Sequence, residues 1–349
     1  MKTRAAVLWE APGKWRVQEV ELDEPKTGEV LVEMVATGLC HSDDHISHGD
    51  IPPEHLPVVA GHEGSGIVRK VGPGVTTLEV GDHVITSFIP GCGKCRWCAM
   101  GMQNLCDLGA KIMVGDQLDG TFRMHADGHD IATSALLGTF AEWQVYDELS
   151  LVKIDKDIPL EIACLVACGV QTGFGSAAYA GNVQPGDVVL VFGVGGVGMN
   201  AVQGARESGA SHIIAIDPVA NKQAWALDFG ATESYGSLDE ARDRLAALTN
   251  GQGADVVVLT ASIVDNALVG GPLRRPQGRH ARRHGRELGE RGRADPRLQR
   301  ELPRDDADPH PGCPVRHEVA PRGHAEPAEH VPRRQPQARR AHHAHLHPR

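Results

Sequence analysis

The chain has 349 residues, 41% of them hydrophobic, and a formal net charge of −10, which places it among globular proteins with room for two domains. Its N-terminus, MKTRAAVLWE, contains no apolar signal-peptide segment, and no later stretch approaches the roughly 18 consecutive apolar residues of a membrane span. We therefore expect a cytoplasmic protein without membrane attachment, in which the eight cysteines bind metal rather than form disulfides.

Residues 1–153 consist of short alternating or β-branched runs separated by Gly and Pro. Examples are EVLVEMVATG, GSGIVRKVG and GDHVITSF. Alternation bounded by turn residues is typical of strands, so this part of the chain predicts a mostly β domain.

A dispersed set of metal-ligand residue types comprises Cys40 in GLCHSDDH, His62 in GHEGSG and Cys168 in ACGVQTG. Two thiolates and one imidazole leave the fourth position of a zinc ion for water or substrate, as in catalytic sites. The spacing alone does not decide the matter. An isolated Cys also serves as a small core residue, and His62 as a loop histidine.

Four further cysteines lie close together in the Gly-rich stretch GCGKCRWCAMGMQNLC. They are Cys92, Cys95, Cys98 and Cys106, spaced Cys-x2-Cys-x2-Cys-x7-Cys. Zinc takes four thiolates in a tetrahedron, and a tight loop of small residues can bring all four to one ion. Because no coordination position stays open, the pattern predicts a structural zinc site.

Between residues 154 and 270 the pattern changes to longer apolar runs separated by helical stretches. The runs are Val188–Phe192, HIIAID and ADVVVLT. Strands that alternate with helices predict parallel βαβ units.

The turn after the first of these runs is glycine-rich, in VVLVFGVGGVGMNAVQGA. A strand, a glycine turn and a helix in that order are the context that a dinucleotide-binding fingerprint requires. Asp217 ends the next run, where a carboxylate accepts hydrogen bonds from the ribose of NAD and repels the 2′-phosphate of NADP. The motif predicts an NAD site with glycines Gly193, Gly195, Gly196 and Gly198.

Residues 271–349 differ sharply from the rest in composition. They contain no Phe, Trp, Tyr, Ile, Met or Lys, but 18 Arg, 12 Pro and 10 His, and they carry a charge of +8 against −18 for residues 1–270. So few apolar side chains do not offset an ordering entropy of roughly 1–2 kcal/mol per residue. We expect this tail to be disordered.

Taken together, the motifs resemble the zinc-containing medium-chain alcohol dehydrogenase family. KTRAAVLWE, GEVLVEMVATGLCHSD, GHEGSGIV, the four-cysteine stretch, GTFAEW and GVGGVGMNAVQGA follow in the family's order over residues 1–270. GLCHSDDH, SFIPGCGKCRWC and LVACGVQTGFGSA are similar to the nicotinoprotein type, whose members keep NAD bound through turnover and act with a nitrosoaniline acceptor. The long segment between Cys106 and GTFAEW resembles the branch that contains thiol-dependent formaldehyde dehydrogenases.

The resemblance implies an α/β protein with a β-rich part. A GroES-like zinc catalytic domain is expected at residues 1–153, an incomplete Rossmann-type NAD-binding domain at 154–270, and the tail at 271–349. It also implies two zinc ions per chain and NAD, which stays bound if the nicotinoprotein likeness holds. Family members are homo-oligomers, but we expect the elements through which they dimerise to be missing here.

The resemblance also makes Cys40, His62 and Cys168 the ligands of the catalytic zinc. Cys164, four residues before Cys168 on the same predicted helix, is the competing candidate, and the flanking CGVQTG favours Cys168.

Carboxylates beside these ligands receive supporting roles from the same resemblance. Asp43 is expected to orient His62, and Glu63 to lie near the zinc. The alternative for Asp43, Asp44 and Glu63 is a solvated loop charge.

The family's reaction needs an exit for a proton. Ser42 is expected to accept it from the alcohol and to pass it through a ribose hydroxyl to His45, because an imidazole suits a relay near neutral pH.

At position 41 many relatives have an arginine that faces the pyrophosphate, so His41 should hold the phosphates less firmly. Surface or packing roles are expected for His48, His55 and His83. The implied cofactor-binding residues are His41, Gly193, Gly195, Gly196, Val197, Gly198, Asp217 and Lys222.

The family resemblance stops after the ADVVVLT run. The Arg-, Pro- and His-rich continuation is what a GC-rich gene read out of frame generates, so we hypothesise a frameshift near Leu268–Arg275. The alternative is a genuine basic arm for nucleic acid, which we do not expect because aromatic residues do not interleave with the basic ones. If the tail at residues 271–349 is natural, unpaired sheet edges predict low stability and little activity.

The sequence therefore predicts an enzyme that transfers hydride between a small alcohol and NAD to give an aldehyde or ketone. Two alternatives remain open at this point. One is a formaldehyde dehydrogenase that uses a thiol adduct, and the other is an inactive zinc-binding fragment with a basic tail. The residues do not identify the alcohol.

Overall fold

The structure, a computed structural model, describes residues 1–261. The predicted tail at 271–349 and the hypothetical frameshift near Leu268–Arg275 lie outside these residues. No single helix in the described part is long and apolar enough to cross a bilayer, although the bent pair Leu160–Ala167 and Gly169–Ala180 meets the criteria of length and composition together.

The first part of the chain folds into two β structures. Five strands form a closed barrel in the order β1-β2-β7-β8-β4, and five form a sheet in the order β10-β6-β5-β3-β9. The strands are β1 Lys2–Leu8, β2 Arg16–Leu22, β3 Glu29–Gly38, β4 Val58–Val59, β5 Glu63–Val71, β6 His83–Thr86, β7 Met124–Ala126, β8 His129–Thr133, β9 Trp143–Asp147 and β10 Leu151–Ile154.

The alternation seen in the sequence explains these strands. In β1 the side chains of Thr3, Ala5 and Val7 are buried on one face, and Ala5 and Val7 join a barrel core that includes Met124 and Ile131. The predicted β-rich part of the chain is confirmed.

Seven helices are present in the described part of the chain. They are α1 His41–His48, α2 Arg96–Ala99, α3 Leu160–Ala163, α4 Gly169–Gly175, α5 Gly196–Glu207, α6 Ala220–Asp228 and α7 Leu238–Thr249. Between α3 and α4 the chain makes a 3₁₀ turn at Cys164–Ala167, and a π-helical turn at Ser176–Ala180 follows α4.

The second part of the described chain is a parallel sheet of four strands in the order β13-β12-β11-β14. All five residues of β11 are buried because one face packs against α5 and the other against α7. This arrangement confirms the predicted parallel βαβ units. The strands are β11 Val188–Phe192, β12 His212–Ile216, β13 Glu233–Tyr235 and β14 Val256–Leu259.

Helices α4 and α5 approach each other at two glycines. A Cβ on Gly173 would collide with the carbonyl of Val197, and a Cβ on Gly204 would collide with the backbone of Phe174. The two backbones therefore touch without side chains between them. This contact joins the segment that begins at Cys168 to the glycine-rich turn.

A buried ion pair links the start of β3 to the residue before β7. Arg123 donates from Nε to Glu29 Oε2 at 2.9 Å and from Nη2 to Glu29 Oε1 at 2.5 Å, and its side chain is fully buried. Asp119 accepts a further bond from Nη2 at 2.8 Å. The planar guanidinium is thus held by two carboxylates.

Replacing Arg123 with methionine should lower the free energy of unfolding by about 3–5 kcal/mol, because Glu29 is left charged and buried without its partner. Urea denaturation measures the change. Arg4→Met is the matched control, since the Arg4–Glu142 pair is exposed and should contribute far less. Equal losses from both variants would contradict the structural importance of the buried pair.

Candidate active site and zinc centres

Four metal-ligand side chains meet where three elements end or begin. One ligand atom each from Cys40, His62, Glu63 and Cys168 lies within 4.8 Å of the others. Cys40 precedes α1, His62 and Glu63 stand at the start of β5, and Cys168 lies between the 3₁₀ turn and α4. A tetrahedral zinc ion places its ligand atoms roughly 3.3–3.8 Å apart, so this donor set fits the metal.

Cys168 reaches this cluster because the helix breaks at that residue. Its backbone has φ −142° and ψ −74°, and the N–H of Gly169 donates to Glu63 Oε1 at 3.2 Å. The prediction of one helix that carries both Cys164 and Cys168 is therefore wrong, because Glu63 caps a new helix at Gly169. Cys164 is buried outside the cluster, and its Sγ donates to the carbonyl of Glu161 at 3.4 Å.

Asp43 is buried beneath the cluster and contacts both ligand segments. Its Oδ1 accepts from Gly61 N at 3.0 Å and lies 3.4 Å from His62 Nδ1, while Oδ2 accepts from Cys40 N at 3.3 Å. Asp43 is only 4% exposed, so it is not the solvated loop charge that was the alternative for this residue. Asp44, by contrast, is exposed and contacts His48.

Protons are unevenly shared within the cluster. The hydrogen bond from Cys168, together with one from His62, lowers the pKa of Cys40 to about 3 against the effect of burial. Bonding to that thiolate, and then burial, raises the pKa of Cys168 far above its ordinary value. Burial opposes protonation of His62, but Asp43 and Cys40 outweigh it and raise its pKa to about 10. Metal binding here must therefore release protons.

The pKa of Glu63 is also shifted by its position beside the cluster. Burial, and then the nearby Cys40 thiolate, raises its pKa. Its neighbour across the sheet is Gly38, where a Cβ would collide with the Glu63 carboxylate. A glycine is thus required opposite Glu63 for the carboxylate to lie over the cluster.

A cavity of about 400 Å³ opens beside these residues. Ser42, His62, Cys168 and Thr172 contribute polar groups, and Phe88 packs edge-on to the His62 ring at 6.2 Å between centroids. Sequence reasoning missed Phe88 and Thr172, as it missed the apolar lining residues Ile112, Met113 and Val114.

The four clustered cysteines form a second donor set. Their sulfurs lie within 4.8 Å of one another, with 3.9 Å between Cys92 and Cys98 and 4.0 Å between Cys95 and Cys106. A zinc ion with four bonds of about 2.3 Å sets sulfurs roughly 3.8 Å apart, so the spacing fits. Backbone N–H groups of Cys98 and Asp107 lower the pKa of Cys95 to about 6.

The glycine-rich turn leads from β11 into α5. Gly193 has φ 79°, and a Cβ on Gly198 would collide with the carbonyl of Gly193, so neither position accepts a side chain. Within residues 1–261, no atom lies within 4 Å of a Cβ built on Gly195 or Gly196, and no side chain caps the N-terminus of α5. The first N–H groups of the helix are thus left without a capping side chain, at a position where helices bind phosphate groups.

Asp217 lies immediately after β12 and beside this turn. Its Oδ2 accepts from Val194 N at 3.0 Å and its Oδ1 from Val219 N at 2.9 Å, and the residue is 4% exposed. Lys222 Nζ is 3.9 Å from Oδ2. The structure therefore fixes the carboxylate at the end of the strand, as the motif predicted.

Comparison with known proteins agrees with this geometry. Residues 26–156 match the model of the alcohol dehydrogenase GroES-like domain, and residues 196–270 match that of the zinc-binding dehydrogenase. The chain is 51% identical to the NDMA-dependent alcohol dehydrogenase of Amycolatopsis methanolica, over 77% of this chain and 72% of that protein. The chain belongs to the zinc-type alcohol dehydrogenases.

Two solved structures of the family resemble this alcohol dehydrogenase. Benzyl alcohol dehydrogenase from Acinetobacter calcoaceticus has a TM-score of 0.68 and 32% identity, covering 75% of this chain and 71% of that one. Acetophenone reductase from Geotrichum candidum, solved in complex with NAD, has a TM-score of 0.60 and 27% identity, covering 75% and 69%. The predicted family and fold class are confirmed.

The predicted relay residues of this alcohol dehydrogenase lie on α1. Ser42 lines the cavity and its Oγ is 3.6 Å from Cys40 Sγ. His45 pairs through Nδ1 with Asp50 Oδ2 at 3.0 Å, and the exposed ring of His41 lies 5.4 Å from it, between centroids. No direct hydrogen bond joins Ser42 and His45 within residues 1–261, and the predicted route passes through a ribose hydroxyl.

Three histidines had been expected to serve only at the surface or in packing. His48 is exposed and bonds the carbonyl of Asp44 at 3.0 Å. His83 has a buried Nδ1 with no hydrogen-bond partner in the described part of the chain. His55 packs edge-on against Phe122 but also lines the cavity, a position that the sequence did not indicate.

Proposed function

We propose that this alcohol dehydrogenase oxidises its alcohol at the Cys40–His62–Cys168 cluster, with NAD held against the glycine-rich turn. The observation that carries the proposal is the meeting of two thiols and an imidazole beside an apolar cavity that also contains Ser42. The match to zinc-type alcohol dehydrogenases supports the reaction class, in which an alcohol and NAD give an aldehyde or ketone and NADH.

The bound groups supply the difficult chemistry. Zinc held by Cys40, His62 and Cys168 would supply Lewis acidity, which favours loss of the hydroxyl proton, and NAD at the glycine-rich turn would supply the hydride acceptor. The protein residues position the reactants: Asp43 holds the backbone on both sides of the metal cluster, and Phe88 fixes the His62 ring.

The proton leaves along α1 in this proposal. Ser42 accepts it from the substrate hydroxyl, and His45, whose Nδ1 is held by Asp50, delivers it to solvent.

Residues after β11 bind the cofactor. The N–H groups at the start of α5 receive the pyrophosphate, with Gly193, Gly195, Gly196, Val197 and Gly198 forming the turn. Asp217 and Lys222 would bind the ribose end, and His41, which comes from α1, would contact the phosphates. We propose further that NAD stays bound between turnovers, which the identity to the NDMA-dependent enzyme supports.

The proposal places the reaction between two domains, at residues 1–153 and 154–270. Cys40 and His62 come from the first, and Cys168 from the second. The four-cysteine site holds a second zinc ion, so two ions are expected per chain.

The purified full chain tests this function. We expect about two zinc ions per chain by mass spectrometry, nicotinamide released on denaturation, and aldehyde formed from benzyl alcohol with a nitrosoaniline acceptor. One zinc ion per chain with no aldehyde formed would leave a zinc-binding fragment instead. Formaldehyde oxidation that depends on an added thiol would support the thiol-adduct alternative.

Asp217→Ser should weaken NAD binding by roughly 10–100-fold and reduce discrimination against NADP, because hydrogen bonds to a charged acceptor contribute about 1.5–3 kcal/mol. Equilibrium binding by fluorescence measures both constants. Asp228→Asn, at an exposed position on α6, is the control. Unchanged NAD affinity in the Asp217 variant would rule out the assigned ribose contact.

A further inference from the structure

The loop between α1 and β4 lies where the catalytic cavity meets solvent. Glu54 and His55 belong to this loop, and both line the cavity that also contains Ser42 and His62. Both are also exposed. A residue that lines a cavity and faces solvent stands at its mouth, so an alcohol that enters passes beside them.

Glu54 is the one acidic residue among the described residues that line this cavity, and neither Lys nor Arg is among them. Among the described residues its carboxylate forms no salt bridge and no hydrogen bond. Most of the remaining lining is apolar. Low-dielectric walls concentrate the field of a charge at the mouth of a cleft.

The loop that carries Glu54 is held against the cavity wall. The ring of His55 meets Phe122 edge-on at 5.9 Å between centroids and 83° between planes. The Cβ of His55 also lies 3.9 Å from the point that a Cβ on Gly115 would occupy. The backbone at the neighbouring Glu54 is therefore held at the mouth.

We propose that Glu54 makes this cavity select neutral and cationic alcohols and reject alcohols that carry a carboxylate. The inference rests on the proposed function, because it assumes that the alcohol enters this cavity. A carboxylate on the substrate meets this negative charge at the mouth, where no Lys or Arg among the described lining residues offsets it. Thiol adducts that bear carboxylates belong to the rejected class.

Three alcohols with the same benzylic hydroxyl, one unsubstituted and two para-substituted, test the proposal with the zinc-loaded full chain. They are benzyl alcohol, para-(hydroxymethyl)benzoate and para-(aminomethyl)benzyl alcohol. For each charged alcohol, kcat/KM is divided by the kcat/KM of benzyl alcohol. We expect this ratio to be well below one for the benzoate. The ratio for the amine should be higher than the ratio for the benzoate. Titration calorimetry without turnover should give the same order of dissociation constants.

Variants of Glu54 then test whether its charge causes this substrate preference. Glu54→Gln should raise the benzoate ratio by about three- to tenfold, and Glu54→Lys should raise it further and lower the amine ratio. Glu79→Gln, which removes the same charge from a side chain that is 81% exposed and away from the cavity, should leave all ratios and the basal activity unchanged. High salt should reduce the differences.

The outcomes separate the two proposals. If the three alcohols bind and react equally, or if the ratios in the Glu54 variants match those of Glu79→Gln, the role of Glu54 is overturned while the dehydrogenase function stands. If none of the alcohols binds or reacts, the proposed function fails, and the selection inferred from it fails too.

Discussion

Replacing Cys168 with serine is expected to remove one of two zinc ions and to lower kcat/KM for alcohol oxidation by at least about 10³-fold. The thiol lies within 4.8 Å of the ligand atoms of Cys40 and His62, and the helix break at Cys168 directs it there. Loss of one of three ligands leaves the metal weakly bound. Lewis acidity contributes several kcal/mol to the transition state, so the rate should fall with the metal. Metal analysis and steady-state kinetics measure the two effects.

Cys164→Ser is the matched control for this variant. Cys164 is the same residue type four positions earlier, it is buried, and it lies outside the metal cluster. It should keep both zinc ions and most of the activity. If the Cys164 variant lost the zinc and the Cys168 variant kept it, the assignment of ligands would be wrong.

Removing a thiol from the four-cysteine site should act on stability rather than on the chemical step. Cys106→Ser is expected to release the other zinc ion and to unfold the lobe around residues 92–111, because structural zinc contributes of order 10 kcal/mol to the folding of small zinc-stabilised units. Helix α2 and the 3₁₀ turns within this lobe are each five residues or shorter, and such elements are marginal without the ion.

Limited trypsin digestion measures this loss, since Lys94, Arg96 and Lys111 lie within the lobe. Cleavage there should accelerate in Cys106→Ser and not in Met100→Ser, which changes a 60% exposed residue of the same lobe. A Cys106 variant that keeps two zinc ions and resists trypsin would show that the lobe does not depend on metal.

The sequence predicted the four-cysteine loop and the glycine-rich turn because each is a local motif. The four cysteines of the lobe lie within one short loop, and the glycines of the nucleotide turn lie between a strand and a helix, so short-range geometry alone constrains them. Strand β13 was missed because Glu233–Tyr235 has only three residues and no apolar run. It exists because it pairs with β12.

The candidate catalytic cluster could not be predicted from the spacing of its residues in the sequence alone. Cys40, His62 and Cys168 come from three elements that only the tertiary fold brings together, so residues alone left them open and the family resemblance selected them. The helix break at Cys168 was not predictable, because its cause is a hydrogen bond from Gly169 to Glu63, which is distant in sequence. The cavity lining at Phe88 and Ile112 carries no local signal for the same reason.

The close packing of α4 on α5, at Gly173 against Val197 and at Gly204 against Phe174, couples two parts of the molecule. Cys168 stands at the start of the helix on one side of that contact, and the pyrophosphate turn begins the helix on the other. In the proposed function, these two glycines set the distance between the metal cluster and the bound dinucleotide. Chimaeras assembled from different relatives should retain hydride transfer only when both helices are inherited from the same parent, since even one added methyl group at this seam would push the reacting centres apart.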